Sequence, residues 1–504
     1  MPGPQTILQT GAAPAGTARS SVLTLINSAV GAGVLSFPFA LRATGWAAGL
    51  ACIALIAATE AFTLYVLSRF AEHTGARSYP ALVHQMLGPA GSLVMIAVVF
   101  AYCFGSCIAY LIILGDSFRP LLLEACGDVW WTSRPAVIVG ISSAVILPLS
   151  FKTHLGGLKA VSSLCLGGLF PVTAVVVVRS ADIILSPQYS RGEVRAVNAS
   201  LSFLTALPLV FFGFQCHTNV ISVWEELEPC PRFFRAATLP TSPQHAAAEP
   251  GQLQPGATQV QAVERGAAAL PGCGQRRLKS EKLLGMARVV VVAVALTGVF
   301  YSCVGLAGYL AFPTSAQSNI MLNFPADDPL IQVARGMIGL IQVAAYPVNH
   351  FPARGAVRDM VHLATGRNPA GAGFVAAETL AFYGATLGIA LLCSDLGNIF
   401  KLVGGTCGSV LILAMPGCLL IAYARSNALA VTRQATLLQE PLLAAAPEAC
   451  LAGAEDPAPG ARPVVRSYRL WKSKQFYSGI SLLVLSAALT VVTMTTTLHP
   501  LPPP

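Results

Sequence analysis

The chain contains 504 residues, of which 54% are hydrophobic and only 11% are charged, and its formal net charge is +9. Soluble globular proteins carry roughly 25% charged residues, so this composition excludes a water-soluble fold for most of the chain. The excess of Lys and Arg lies mainly in predicted loops, so it indicates membrane topology and not a nucleic-acid-binding surface.

Eleven apolar runs are long enough, or nearly so, to cross a bilayer, whose apolar core of about 30 Å needs about 20 helical residues. In lipid every backbone polar group needs an internal partner, and the alternating pattern of a β-barrel is missing, so helices are predicted. The expected fold class is an all-α membrane protein with eleven transmembrane helices. The runs are 21–43, 47–69, 93–115, 135–151, 159–178, 201–223, 286–311, 330–351, 375–395, 403–424 and 476–497.

Loop charge predicts how the chain is arranged around these spans. Lys and Arg cluster in 224–285 and 425–475, Arg354 is expected in another loop on the same side, and the alternate loops carry few. This bias places the N-terminus in the cytosol and the C-terminal tip outside. Segments rich in Ala, Pro, Gln and Gly, at 236–275 and 436–464, are predicted to be disordered linkers. The predicted parts are a cytosolic tail at 1–20 and a core of helices 1–10 at 21–424, with a disordered cytosolic insertion at 224–285. A cytosolic linker follows at 425–475, and helix 11 with its outer tip occupies 476–504.

The first span contains the residues of a helix break. Gly31 and Gly33 lie near its middle, and Pro38 follows five residues later. A break there exposes backbone N–H groups and the positive end of a half-helix dipole, which suit a substrate carboxylate. The alternative is that these small residues simply pack against a neighbouring helix.

The sixth span repeats this pattern. Gly213 is followed by Gln215, His217 and Asn219 at mid-membrane, where polar side chains are costly unless they face a cavity or partners. Interrupted helices five spans apart are what an inverted five-plus-five repeat predicts. The two interruptions therefore predict a binding site halfway across the membrane.

Four stretches of the sequence resemble one family. They are Asn27 to Pro38, Tyr102 to Tyr110, Phe212 to His217 (Phe-Gly-Phe-Gln-Cys-His) and Tyr346 to Phe351. They are similar to the sodium-coupled neutral amino acid transporters of the amino acid/auxin permease superfamily, and closest to the branch with the lysosomal glutamine exporter. The resemblance, which spans most of 20–424, implies eleven helices in a LeuT-type five-plus-five fold with broken helices 1 and 6. It also implies coupled transport of glutamine-like amino acids.

The resemblance implies roles for individual residues. The substrate carboxylate would bind backbone amides in the first break, and the amino group would bind backbone carbonyls in the sixth span. Two polar side chains would line the site, and one asparagine would take part in both the cation and the substrate sites. The amides are those of Gly31, Ala32 and Gly33, and the carbonyls are those of Phe211, Phe212 and Gly213. The polar side chains are Gln215 and His217, and the asparagine is Asn27. For His217 the alternative is a packed, hydrogen-bonded histidine.

The coupling ion is open between Na⁺ and H⁺. The family usually carries sodium-binding hydroxyls in the eighth span, where this chain has Ala344 and Ala345, and methyl groups do not bind a hard cation. Glu60 is isolated in the middle of the second span, where an ionised carboxylate costs about 3 kcal/mol and protonation removes much of that cost. We therefore hypothesise that Glu60 is a proton-coupling group; the alternative is a structural carboxylate with a backbone or hydroxyl partner.

Two classes of function fit these features. The first is a secondary active transporter of small neutral amino acids in the plasma membrane or in a lysosomal or vacuolar membrane. The second is a membrane sensor that binds the same amino acid and signals through its cytosolic linkers. The eight histidines are scattered without the spacing of a metal site or a catalytic motif, so neither an enzyme nor a metal or other cofactor is expected. Charged residues near span ends are expected to extend to the membrane interface; these are Asp116, Arg335 and Asp395.

Overall fold

The computed structural model describes residues 17–152, 158–187, 189, 192–198, 200, 202–227, 271–369, 371–444 and 473–498, which form helices joined by loops. The predicted linkers lie mostly outside these residues, although α9 and α13 extend into their ends. The helices are α1 (Ala18–Ala29), α2 (Phe37–Thr44), α3 (Trp46–Thr74), α4 (Tyr79–Cys126), α5 (Arg134–Ser150), α6 (Leu158–Leu185), α7 (Phe203–Phe214), α8 (His217–Glu226), α9 (Pro271–Ala311), α10 (Pro329–Thr365), α11 (Ala372–Leu392), α12 (Leu396–Val403), α13 (Met415–Ala444) and α14 (Lys474–Leu498).

The spans are close to those predicted from hydropathy. Nine helical segments among the described residues are long and apolar enough to cross a membrane, and α1 with α2 forms a tenth, bent span. α5 is a shorter apolar helix at the position of the fourth predicted run. The all-helical, multi-pass architecture is confirmed, whereas the count of eleven stays a prediction. α10 has 37 residues, or about 55 Å at 1.5 Å per residue, so it continues well beyond the predicted 330–351.

Both predicted helix interruptions are present. A 3₁₀ turn at Ala32–Ser36 lies between α1 and α2, and the two halves of this span meet at a bend of 53°. α7 ends at Phe214 and α8 begins at His217, with two non-helical residues between them. The first break starts at Gly31, whose extended backbone leaves the helical path, and Pro38 is tolerated because the first turn of α2 needs no donor there.

Long helices surround the two broken spans. α10 packs along α4, α9 packs along α3, and α13 packs along α14. Between α13 and α14 the backbones touch, since a Cβ added to Gly417 would lie 2.9 Å from the carbonyl oxygen of Gly479. Small residues are typical of such interfaces because lipid provides no hydrophobic force between helices. α4 bends at Gly88, which has a positive φ of 76° that favours glycine.

Arg335 and Asp116, near span ends, are buried and paired inside the protein, so the prediction that they extend to the interface was wrong, whereas Asp395 is exposed. Arg335 is 2% exposed and donates to four backbone carbonyls of the loop before α10. Asp116 forms an ion pair with Arg134 at 3.1 Å. Asp395 accepts from a backbone N–H at the start of α12 at 2.9 Å. Each charge satisfies polar groups that lipid would leave unpaired.

Candidate functional site

A cavity of about 370 Å³ lies between the two broken spans, α4 and α10. It extends from the breaks to the side of the molecule on which α1 begins, where Tyr79 and Pro80 at the start of α4 form part of its wall. No charged side chain is among the described residues that line it. Its amides and hydroxyls include those of Asn27, Ser28, Tyr102, Tyr110, Gln215, Thr218, Asn219, Gln342 and Asn349.

Three of the predicted site residues line this cavity, namely Asn27, Gly31 and Gln215. The structure brings them together from α1, from the first break and from the second break. The side chain of Ala32 lies outside the described part of the structure. The other predicted substrate-site residues do not line the cavity and are buried in the surrounding core; these are Gly33, Phe211, Phe212, Gly213 and His217.

Two glutamines present unpaired amide groups to the cavity. Gln215 is 3% exposed and Gln342 is 1% exposed. Nε2 of Gln215 and both amide atoms of Gln342 have no hydrogen-bond partner among the described residues. A buried polar atom without a partner costs about 1–3 kcal/mol, so these atoms are suited to bind a polar ligand. Gln342 was not predicted as a site residue, although its amide in the middle of the apolar run 330–351 could have indicated one.

Other cavity amides are held by neighbouring helices. Asn219 donates from Nδ2 to the hydroxyl of Ser28 at 3.0 Å, which joins α8 to α1 beside the first break. Asn349 donates from Nδ2 to the hydroxyl of Tyr110 at 2.8 Å, which joins α10 to α4. These bonds fix the shape of the wall because each connects two different helices.

One tyrosine joins the two helix breaks. The hydroxyl of Tyr301, on α9, lies 2.8 Å from the carbonyl oxygen of Ala29 and 2.6 Å from that of Gly213. These carbonyls belong to the ends of α1 and α7, where the last carbonyls of a helix have no N–H donor from the same helix. The ring of Tyr301 is fully buried and stacks on Phe37 at a centroid distance of 4.0 Å. A single hydroxyl proton therefore serves both breaks and fixes their relative position; sequence reasoning did not identify this residue.

The two breaks are also in direct contact. A Cβ added to Gly33 would lie 3.3 Å from the Cα of Gly213, and a Cβ added to Gly213 would lie 2.8 Å from the ring of Phe37. The second distance is shorter than real Cβ contacts, so Gly213 cannot carry a side chain without a shift of its neighbours. The glycines therefore serve the helix breaks and the close packing together, and the two interpretations of the sequence are compatible.

Glu60 and His217, which were predicted separately, are partners in the structure. Both are fully buried, and Nδ1 of His217 lies 3.2 Å from Oε1 of Glu60. Nε2 of His217 lies 2.9 Å from the hydroxyl of Thr63, and the thiol of Cys216 donates to Glu60 at 3.4 Å. Oε2 of Glu60 has no hydrogen-bond partner among the described residues. The pair links α3 to the first residue of α8, directly after the second break.

The cavity is closed on the side away from the start of α1. The ring of Phe212 stacks on Phe400 at a centroid distance of 4.3 Å and tilts against Tyr102 at 5.9 Å. Further out, Ser36 in the 3₁₀ turn and Arg42 on α2 donate to backbone carbonyls of the loop between α9 and α10, at 2.5 and 2.8 Å. Among the described residues, the cavity is therefore open on the side of the start of α1 and covered on the other.

A buried ionic cluster lies between α10 and α11, away from the cavity. Arg354 pairs with Glu378 at 2.9 Å, and His350 lies 3.0 Å from the other carboxylate oxygen. Arg354 also donates to Thr379 and to the carbonyl of Ser150 at the end of α5. The prediction that Arg354 lies in a loop was wrong, because α10 continues through it. The cluster joins three helices.

Comparison with known proteins gives relatives over most of the chain. Sodium-coupled neutral amino acid transporter 7 of Homo sapiens is 26% identical over 432 residues, which cover 81% of each chain. Vacuolar amino acid transporter 2 of Saccharomyces cerevisiae is 21% identical over 415 residues, which cover 79% of this chain and 75% of the relative. Among solved structures, a substrate-bound, outward-open Na⁺-coupled sialic acid symporter aligns with a TM-score of 0.47 and 12% identity, over 96% of this chain and 90% of that one.

The family described as transmembrane amino acid transporter protein has a sequence model that matches residues 14–247 and 275–439. This match covers both broken spans, the cavity and the Glu60–His217 pair. The chain is a multi-pass membrane transport protein and not an enzyme, in agreement with the resemblance found in its sequence. It belongs to the transmembrane amino acid transporter protein family.

Proposed function

We propose that this chain is a secondary active transporter that carries small neutral amino acids, glutamine among them, by alternating access. The observation that carries the proposal is the set of unpaired amide atoms of Gln215 and Gln342 in a cavity whose described wall has no charged side chain. A zwitterion with an uncharged side chain needs hydrogen bonds but no counter-charge, whereas a cationic or anionic amino acid would bring an unpaired charge into the membrane core.

In this proposal the substrate backbone binds at the two breaks. The first break binds the carboxylate at Gly31, which lines the cavity, since the second half of the broken span points its positive end at the site. The resemblance implies that carbonyls at Phe211–Gly213 accept from the amino group; they do not line the cavity in this structure, so this contact requires a change of shape at the second break. The Gly213 carbonyl already accepts from Tyr301, but a carbonyl oxygen has two lone pairs and has room for a second donor.

The coupling ion in this proposal is H⁺, with Na⁺ as the second candidate. Ala345 lines the cavity, where the resemblance implies a hydroxyl for sodium, and it offers only a methyl group. Glu60 is the proposed carrier of that proton, because its Oε2 has no hydrogen-bond partner among the described residues and the His217 imidazole lies 3.2 Å from its Oε1. Gain of that proton changes the charge beside the first residue of α8, so proton binding and the geometry of the second break are coupled.

The test is uptake of labelled glutamine into proteoliposomes with Na⁺ and pH gradients imposed separately. A pH gradient alone is expected to drive uptake by the native chain. Glu60→Gln is expected to lose this dependence, whereas Glu124→Gln, which changes an exposed carboxylate at the end of α4, keeps it. Uptake driven only by Na⁺, or an unchanged pH dependence in Glu60→Gln, would contradict proton coupling. Binding of glutamine without flux would favour a sensor over a transporter.

The proposed orientation has the N-terminus in the cytosol, in the plasma membrane or in a lysosomal or vacuolar membrane. The excess of Lys and Arg in the loops on the N-terminal side supports this orientation. The cavity then opens to the cytosol. A cysteine-reactive impermeant reagent applied to intact cells tests which side is outside. The single cysteine replaces Asp128, in the loop between α4 and α5, or Gly371, before α11, in a chain without its native cysteines.

A further inference from the structure

We propose that a groove between α3, α13 and α14 binds the headgroup of an anionic phospholipid in the membrane leaflet on the N-terminal side of the protein. The groove is a separate cavity of about 180 Å³ and shares no lining residue with the central one. The residues that line it include Phe62, Tyr65, Arg69, Tyr423, Lys474 and Ser478.

The groove has a basic end and an apolar end. Phe62, Tyr65 and Arg69 lie three to four residues apart, so they share one face of α3. Phe62 and Arg69 are about 10 Å apart along the helix axis at 1.5 Å per residue. Lys474 is the first residue of α14 and Arg69 lies five residues before the end of α3, so both cations are placed at the depth of lipid headgroups. The change from basic to apolar residues along the groove matches a phospholipid, with the phosphate at the cations and the acyl chain towards Phe62.

The two cations are available for an anion. Among the described residues neither Arg69 nor Lys474 forms an ion pair, and Arg69 has only the face of the Tyr423 ring, 5.9 Å away. No acidic side chain is among the described residues that line the groove; Glu72 lines a neighbouring cavity, which Arg69 and Tyr423 also line. Because the groove faces lipid between spanning helices, the anion that meets it is a lipid headgroup. Under the orientation proposed above this leaflet is the cytosolic one, which carries the anionic lipids.

The experiment is native mass spectrometry of the purified full chain in detergent with an equimolar mixture of phosphatidylserine and phosphatidylcholine. The native chain is expected to retain phosphatidylserine preferentially. Arg69→Gln with Lys474→Gln is expected to lower this preference about 25-fold, since each cation at a membrane surface contributes about fivefold. Ser478→Trp keeps both charges but fills the groove, and it is expected to reduce retention of phosphatidylserine as well.

The matched control is Arg19→Gln with Arg367→Gln, which removes two exposed charges from the same side outside the groove. It is expected to keep the native preference, and thermal unfolding shows that each variant is folded. Equal retention of the two lipids by the native chain, or an equal loss of preference in the control pair, would overturn the proposal. Competition by inorganic phosphate alone as strong as by the lipid would overturn the role of the acyl chain. None of these readouts depends on amino acid transport.

Discussion

Replacement of Tyr301 by Phe tests whether its hydroxyl holds the two helix breaks together. The change keeps the ring that stacks on Phe37 and removes the donor 2.6 Å from the carbonyl oxygen of Gly213. A buried acceptor without its donor costs about 1–3 kcal/mol, which is roughly 5- to 140-fold in an equilibrium between conformations. We expect the apparent KM for glutamine uptake by proteoliposomes to rise within this range, because substrate binding must first restore the position of the breaks.

Tyr309→Phe is the matched control for this prediction. Tyr309 lies on the same helix, is 2% exposed, and its hydroxyl accepts from the backbone N–H of Arg195 at 3.0 Å, away from the breaks. Each variant loses the two hydrogen bonds of one tyrosine hydroxyl, so both are expected to unfold at a lower temperature. Only Tyr301→Phe is expected to change KM. A KM within twofold of the native value, or an equal rise in Tyr309→Phe, would refute the bridging role.

Other substitutions test the packing around the site. Gly213→Ala places a Cβ 2.8 Å from the ring of Phe37 and is expected to abolish uptake, whereas Gly140→Ala, which meets nothing within 4 Å, keeps it. Arg354→Met leaves the buried carboxylate of Glu378 without its ion pair and is expected to cost about 3–5 kcal/mol of stability. The double variant with Glu378→Met is expected to recover part of that loss in thermal unfolding; a double variant less stable than Arg354→Met would contradict the ionic explanation.

The spans and their breaks could be predicted because they depend on local sequence. Hydropathy along the chain locates each helix, and the glycines at Gly31, Gly33 and Gly213 mark where the helices are interrupted. Helix ends were less predictable. The run 330–351 ends where polar residues begin, but α10 continues to Thr365 because those polar residues find partners on other helices.

Partners that are distant in sequence could not be predicted. Glu60 was identified from its isolation in α3, but nothing in the sequence places it beside His217 on another helix. Tyr301 and Gln342 have ordinary sequence surroundings, and their importance follows from which carbonyls or which cavity they meet in three dimensions. The alanine at position 345 was informative only through the resemblance, since a methyl group in an apolar run carries no signal of its own.

The closed side of the cavity has a consequence for the direction of movement. Its described contacts include side-chain-to-backbone hydrogen bonds from Ser36 and Arg42, a hydrogen bond from Ser318 to Asp395, and ring contacts of Phe212. Such contacts contribute on the order of 1 kcal/mol each, which is small beside the roughly 5.5 kcal/mol that reverses a 1:99 population. No single contact of this size fixes the protein in the closed conformation. Net flux in such a transporter follows the concentrations of cargo and ion in the two compartments, and the same molecule can fill a compartment or empty it.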